Sequence, residues 1–167
     1  MDKRGINTPV ERRKDNVRKS KLKLSQLLAY NFVSGDLLIT LSYSDPESSN
    51  EHTHAVDGLR NWLLSIRRER QKRGIDTRYI YSTEWGTGCA PVHYVIINAA
   101  GEGERYFQQR WKCGSITVEG VELPLQCIAL SIQIIRQSIK NERVYVPRGR
   151  VWVPSQGLKR PRGRVSI

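Results

Sequence analysis

The run Val92-His93-Tyr94-Val95-Ile96-Ile97 constrains the fold more than any other stretch of the chain, because it is apolar at both odd and even positions. In an extended strand successive side chains point to opposite faces. A segment apolar on both faces therefore has the composition of a central strand, covered above and below. The run before it, over 77–85, joins to it through the loop Gly86-Thr87-Gly88-Cys89 and reads as a neighbouring strand. Leu37, Ile39, Leu41 and Tyr43 alternate with Thr40 and Ser42, which predicts another strand over 36–43 after the turn Ser34-Gly35-Asp36. A further strand is expected near 114–119.

Helical patterns separate these strands. Thr8-Pro9-Val10-Glu11 spells a capping box with proline at the first helical position. It predicts a helix over 9–31 with Val10, Val17, Leu24, Leu27 and Leu28 on one side. Val56, Leu59, Leu63 and Ile66 recur at helical spacing and predict a second helix over 53–73. A short helix is expected around 102–111. Leu125, Ile128, Ile132, Ile135 and Ile139 predict a third long helix over 123–140. Val144, Val146, Val151 and Val153 alternate around turns, as in a hairpin. This order implies an α+β fold, an antiparallel sheet of about five strands packed by helices. A chain of 167 residues is one domain, able to bury about 70% of its unfolded surface. Its divisions are a basic N-terminal helix region (1–24), a core (25–146) and a basic C-terminal hairpin or tail (147–167).

Charge separates the ends from the middle. Residues 1–24 hold nine basic and three acidic side chains, and 136–167 hold nine and one. The stretch between carries ten basic and twelve acidic, so all of the net charge of +12 resides at the ends. Such a distribution fits a polyanionic partner, and nucleic acid above all. The phosphate-contacting residues it nominates are Arg12, Arg13, Lys14, Arg18, Lys19, Lys21, Arg67, Arg68, Arg148, Arg150, Lys159, Arg160, Arg162 and Arg164. Part of the Arg67–Arg68 cluster also suits the C-terminal end of a helix dipole. Trp152, between Arg150 and Pro154, is a candidate for stacking on a base, whereas Trp62 and Trp111 read as core. The three cysteines, Cys89, Cys113 and Cys127, have neither disulfide-framework nor metal-knuckle spacing. With no apolar span or visible leader, the expectation is a cytoplasmic protein without a membrane partner.

The order of these segments resembles the rolling-circle replication initiators of phages, plasmids and related mobile elements. Asn31-Phe32-Val33-Ser34-Gly35-Asp36-Leu37-Leu38-Ile39-Thr40-Leu41-Ser42-Tyr43 looks like their first strand. The stretch 63–74, with Ile66-Arg67-Arg68, resembles the basic helix that follows. Tyr79-Ile80-Tyr81-Ser82-Thr83-Glu84-Trp85-Gly86 and then Val92-His93-Tyr94-Val95-Ile96-Ile97-Asn98 resemble their central hairpin. Ser155-Gln156-Gly157-Leu158-Lys159-Arg160-Pro161 is similar to their C-terminal segment. The resemblance implies a sheet-based domain that nicks single-stranded DNA. Its strand histidine pair would hold a divalent metal, and a helical tyrosine would attack the phosphodiester.

Here that machinery is incomplete. With the pair at 92 and 94, Val92 and Tyr94 stand in its place; with the pair at 93 and 95, only His93 remains. No tyrosine occurs between Tyr106 and Tyr145, so the third long helix lacks a nucleophile. The resulting expectation is a DNA-binding domain, for single strands or hairpins and DNA over RNA, that does not cut and needs no cofactor. Three alternatives stay open. The chain is an inhibitor of a host nucleic-acid-guided nuclease, or a nickase whose altered site uses a divalent metal, or a structural RNA-binding protein. A host nuclease or replication protein is then a further partner. For the nickase, His93 and Glu84 are the candidate metal ligands, and Tyr94 and Tyr81 the candidate nucleophiles. The histidines of Glu51-His52-Thr53-His54 have ligand-like spacing at a helix start. Pro-Arg-Gly-Arg-Val occurs at 147–151 and again at 161–165, and reads either as an arginine hook for a minor groove or as a pair of basic turns.

Overall fold

The computed structural model describes residues 9–45, 52–85, 90–122, 129–131, 133–134 and 152–160. Helix α1 (Pro9–Asn31) leads into β1 (Leu37–Leu41), and α2 (His52–Lys72) is followed by β2 (Tyr79–Glu84) and β3 (Val92–Ile97). A short helix α3 (Glu104–Gln108), β4 (Ile116–Gly120) and the two-residue strand β5 (Val153–Pro154) complete the order. The five strands form one sheet in the order β4-β1-β3-β2-β5, with every neighbouring pair antiparallel. The α+β architecture read from the sequence is the architecture observed. Among the described residues no helix is long and apolar enough to cross a membrane.

β3 lies at the centre, as its two apolar faces require. One face belongs to α1: Leu24, Leu27, Leu28 and Phe32 pack on Leu38, Ile80 and Ile96, together with Leu130 and Ile134 from the helical residues beyond β4. Burying each such leucine contributes about 1.5–3 kcal/mol. The other face belongs to α2 and α3: Leu59, Trp62, Leu63 and Ile66 pack with Phe107 and Trp111 on Ile39, Leu41, Val95 and Ile97. Trp62 and Trp111 are core residues, as their setting in the sequence suggested.

Two local devices set the geometry. Gly35 has φ +94°, which ends α1 in a turn that a side chain would strain. The adjacent Asp36 is buried, and its carboxylate accepts from Val33 N–H and Ala99 N–H at 2.8 Å each. Its carbonyl accepts from Val121 N–H. One residue thus ties the start of β1 to the ends of β3 and β4. At the far end of β1, a Cβ on Gly114 would lie 2.1 Å from the Ser42 carbonyl oxygen, so only glycine admits that approach. The hairpin expected over 144–153 falls within the described residues only at its end. There Val153 pairs with Tyr81 of β2 and extends the sheet.

Candidate nucleic-acid interface

Helix α1 buries Leu24, Leu27 and Leu28 and turns most of its described cations to water. Arg18, Lys19 and Lys23 are exposed and Lys21 is half-exposed, and among the described residues no carboxylate pairs with them. Arg12, Arg13 and Lys14 continue the same helix, with side chains outside the described residues. Against this helix lies the C-terminal segment. The Trp152 indole N–H donates to Ser20 Oγ at 3.0 Å, and the ring packs on the edge of the aliphatic core. The segment then pairs with β2, where Ser155 N–H donates to the Tyr79 carbonyl at 2.8 Å and Ser155 Oγ accepts from Tyr79 N–H at 3.1 Å. It turns at Gly157, φ +81°, and ends on Asn31. That side chain accepts from Lys159 N–H at 2.6 Å and donates to the Lys159 carbonyl at 2.8 Å. Lys159 and Arg160 emerge exposed beside the C-terminus of α1.

Helix α1 and the described C-terminal segment 152–160, separated by 128 residues at the Asn31–Lys159 clasp, thus lie together, with Trp152 packed on the core of the α1 face. Trp152, read from the sequence as a base-stacking residue, is what fastens them. Its ring is half-buried and its N–H is used within the protein. Arg148, Arg150, Arg162 and Arg164, and with them both Pro-Arg-Gly-Arg-Val copies, lie outside the described residues. Arg67 and Arg68 are exposed on α2, which packs on the opposite face. The nominated cations whose side chains are described therefore fall on two elements packed on opposite faces of the sheet rather than on one.

The candidate metal pair is corrected by the strand register. His93 is opposite Thr83 and Glu84 is opposite Val92, so the two side chains point to opposite faces of the sheet. His93 is fully buried, and both of its ring nitrogens are engaged. Nε2 meets Tyr43 Oη at 2.9 Å, and Nδ1 meets Thr83 Oγ1 at 2.8 Å. Tyr43 O–H donates onward to the Ala55 carbonyl at 2.8 Å. Its single proton is thereby used, so Nε2–H donates to Tyr43 and the Thr83 hydroxyl donates to Nδ1. Burial pulls the His93 pKa down to about 4. This is a neutral core histidine that connects β3 to α2.

Tyr94, with Glu84, occupies the α1 face. Its hydroxyl donates to Glu84 Oε2 at 3.0 Å. Burial, then the hydrogen bond and charge of Glu84, push the phenol up to about 12. A phenol so raised is protonated at neutral pH. Burial likewise raises Tyr81. The side chains of His52 and His54 lie outside the described residues, and among those described no cluster of three His, Cys, Asp or Glu is assembled for a metal.

Sequence reasoning missed the fasteners. Asn31 entered only as the end of the predicted first helix and the start of the run that resembles the initiators' first strand, and Ser20 was not singled out. Neither carries a local signal, because each acts on a segment more than a hundred residues away. No family model matches the chain, and neither a curated protein nor a solved structure matches it.

Proposed function

We propose that this chain is a nucleic-acid-binding protein of mobile-element type, a catalytically inactive relative of the rolling-circle initiators. It binds DNA, single-stranded or hairpin, through the face on which its basic ends meet. The observation that supports this reading is the double fastening of the C-terminal segment along α1, by Trp152 on Ser20 and Lys159 on Asn31. Without it, the C-terminal cations would be a solvated tail. With it, Lys159 and Arg160 are held beside the C-terminus of α1, the helix that also carries Arg18, Lys19 and Lys21. Phosphate contacts made by such a surface release counterions, so affinity falls steeply with salt. The Tyr94 phenol held protonated by Glu84, and the imidazole of His93 locked into the core, support binding without cutting.

The test is a gel experiment with labelled single-stranded and hairpin DNA, with and without Mn²⁺ or Mg²⁺, run under native and denaturing conditions. The expected result is a native shift with neither cleavage nor a covalent adduct. Affinity should fall by orders of magnitude between about 50 and 200 mM salt. Changing Arg18, Lys19, Lys159 and Arg160 together to glutamine should reduce the logarithmic salt slope by about 3. Undetectable binding at low salt, or binding indifferent to salt, overturns the proposal, and a metal-dependent cut overturns its inactive part.

A further inference from the structure

The α2 face carries a second surface that the function proposed above does not use. β2 alternates, and Tyr79 and Tyr81 both lie on the α2 side, opposite Ile97 and Val95 of β3. Their rings stack with centroids 6.4 Å apart and planes 26° apart, and both are half-buried. Along α2, Arg60, Leu64 and Arg67 succeed one another at four- and three-residue steps, which puts them on one flank. All three are exposed, and Leu64 is one of the few large apolar side chains that are. The opposite flank is occupied: Trp62 packs against Phe107 and Glu69 pairs with Arg110 of the α3 region. Arg60 and Arg67 are therefore turned away from α3, toward the β2 side. Burial and the neighbouring Tyr79 push the Tyr81 phenol up while the charge of Arg60 pulls it down, which locates Arg60 near that ring. Among the described residues no carboxylate pairs with Arg60 or Arg67.

We propose that this seam between α2 and β2 binds single-stranded nucleic acid, with bases stacked on Tyr79 and Tyr81 and phosphates on Arg60 and Arg67. The chemistry selects the occupant. Aromatic rings beside unpaired guanidinium groups match a ligand that alternates π-faces with negative charge, and unpaired strands offer that alternation. A duplex keeps its bases stacked on one another and presents phosphates alone. An acidic peptide would satisfy the arginines and leave the tyrosines without a partner. Leu64, between the two arginines, supplies an apolar floor for a sugar or base edge. Arg60 and Arg67 are about two helical turns apart, on the order of 10 Å along the axis, a span for more than one nucleotide. The inference takes its class of ligand from the function proposed above but places it on the other side of the sheet.

The experiment measures fluorescence anisotropy of labelled oligothymidylate, oligouridylate and a matched DNA duplex with the full chain. Three variants are compared: Tyr79→Leu with Tyr81→Leu, Arg60→Gln with Arg67→Gln, and, on the α1 side, Arg18→Gln with Lys19→Gln. The leucine pair should weaken single-strand binding about tenfold or more while leaving duplex binding unchanged. The glutamine pair on α2 should lower the single-strand salt slope by about 1.4. Should the leucine pair fail to fold by circular dichroism, the arginine pair, confined to the exposed flank of α2, decides the matter. Single-strand binding unchanged by the α2 substitutions, or reduced equally for strand and duplex, overturns the seam. Were the wild-type chain to bind none of the three probes, the broader function would fail. Binding that only the α1-side variant weakens would leave the broader function standing and remove the seam alone.

Discussion

The two faces of this sheet are built on different principles. The α1 face is aliphatic and assembled from afar, by a helix near the start of the chain, the helical residues after β4 and the C-terminal segment. The α2 face is aromatic and threaded with polar groups, in which Tyr43, His93 and Trp111 meet edge to face. Toward the other end of β3 Arg70, 0% exposed, is held by Glu102 at 2.8 Å and by Asn98 Oδ1 at 3.1 Å. The Asn98 amide in turn donates to the Asp76 carbonyl at 3.0 Å. Aliphatic packing is tolerant of detail, whereas a buried polar network is stable only when each member has its partner. The comparison teaches where each proposed binding surface is accommodated. The tolerant face carries α1 and the described C-terminal segment. The demanding face locks α2, β3 and α3 into one unit, and that unit holds the tyrosine–arginine seam in place.

The largest expected effect comes from breaking the network. Glu102→Ala would leave the Arg70 guanidinium buried with only the neutral Asn98 as partner, and would also release Arg73, the second arginine paired with that carboxylate. Removing one member of a buried pair costs about 3–5 kcal/mol. Urea denaturation should show that loss, while Glu102→Gln should recover part of it by accepting from Arg70. A loss below about 1 kcal/mol would mean that the network contributes no more than a surface ion pair.

The next test separates the faces by pH. His93 belongs to the α2 face alone, and its folded pKa is depressed from 6.5 to about 4. The unfolded chain therefore takes up the proton first as the pH falls. The stability contributed by the neutral imidazole is complete above pH 6.5 and is lost progressively as the pH drops from 6.5 to about 4. The whole change amounts to about 3 kcal/mol. His93→Gln should flatten that interval of the stability profile, and a variant profile as steep as the wild type would assign the slope to other groups.

What the sequence made legible follows the same division. Strand alternation and helix spacing are local, so α1, α2, β1 to β4, the central position of β3 and the side of α1 that holds Leu24, Leu27 and Leu28 could be read from the sequence, while most of the helix expected over 123–140 lies outside the described residues. The core status of Trp62 and Trp111 belongs with them. Side-chain partnerships across the sheet were not legible. His93 and Glu84 looked like a ligand pair because both lie near one end of a hairpin, but the register alone decides which face each takes, and it separates them. Trp152 looked like a base platform because of its basic neighbours, while its partner Ser20 is 132 residues away. Arg70 belongs to a run of basic residues at the end of α2, and its chemistry does not distinguish it from the exposed Arg67 and Arg68. Only its place on the helix, one full turn beyond Ile66, directs it inward. Tyr79 and Tyr81 did carry a signal, since tyrosines two apart in a strand share a face.

The smallest expected effect sharpens the α1 side. Asn31→Ala removes two hydrogen bonds to the Lys159 backbone and one to the Leu27 carbonyl, without touching a charged side chain. At about 0.5–1.5 kcal/mol for each of the three bonds, the gross loss is about 1.5–4.5 kcal/mol, and the conformational entropy that the freed segment regains should bring the net loss to about 1–3 kcal/mol. The local consequence is the sharper readout. Trypsin cleavage after Lys159 requires that backbone to leave Asn31, so its rate in the native state should rise several-fold in the variant. Cleavage elsewhere in α1 should stay slow, since Leu24, Leu27 and Leu28 remain buried. The salt slope for DNA should fall at the same time, although no cation has been removed, because Lys159 and Arg160 would no longer be held beside α1. An unchanged slope with accelerated cleavage would separate the fastening from binding, and would return the C-terminal cations to the status of a solvated tail.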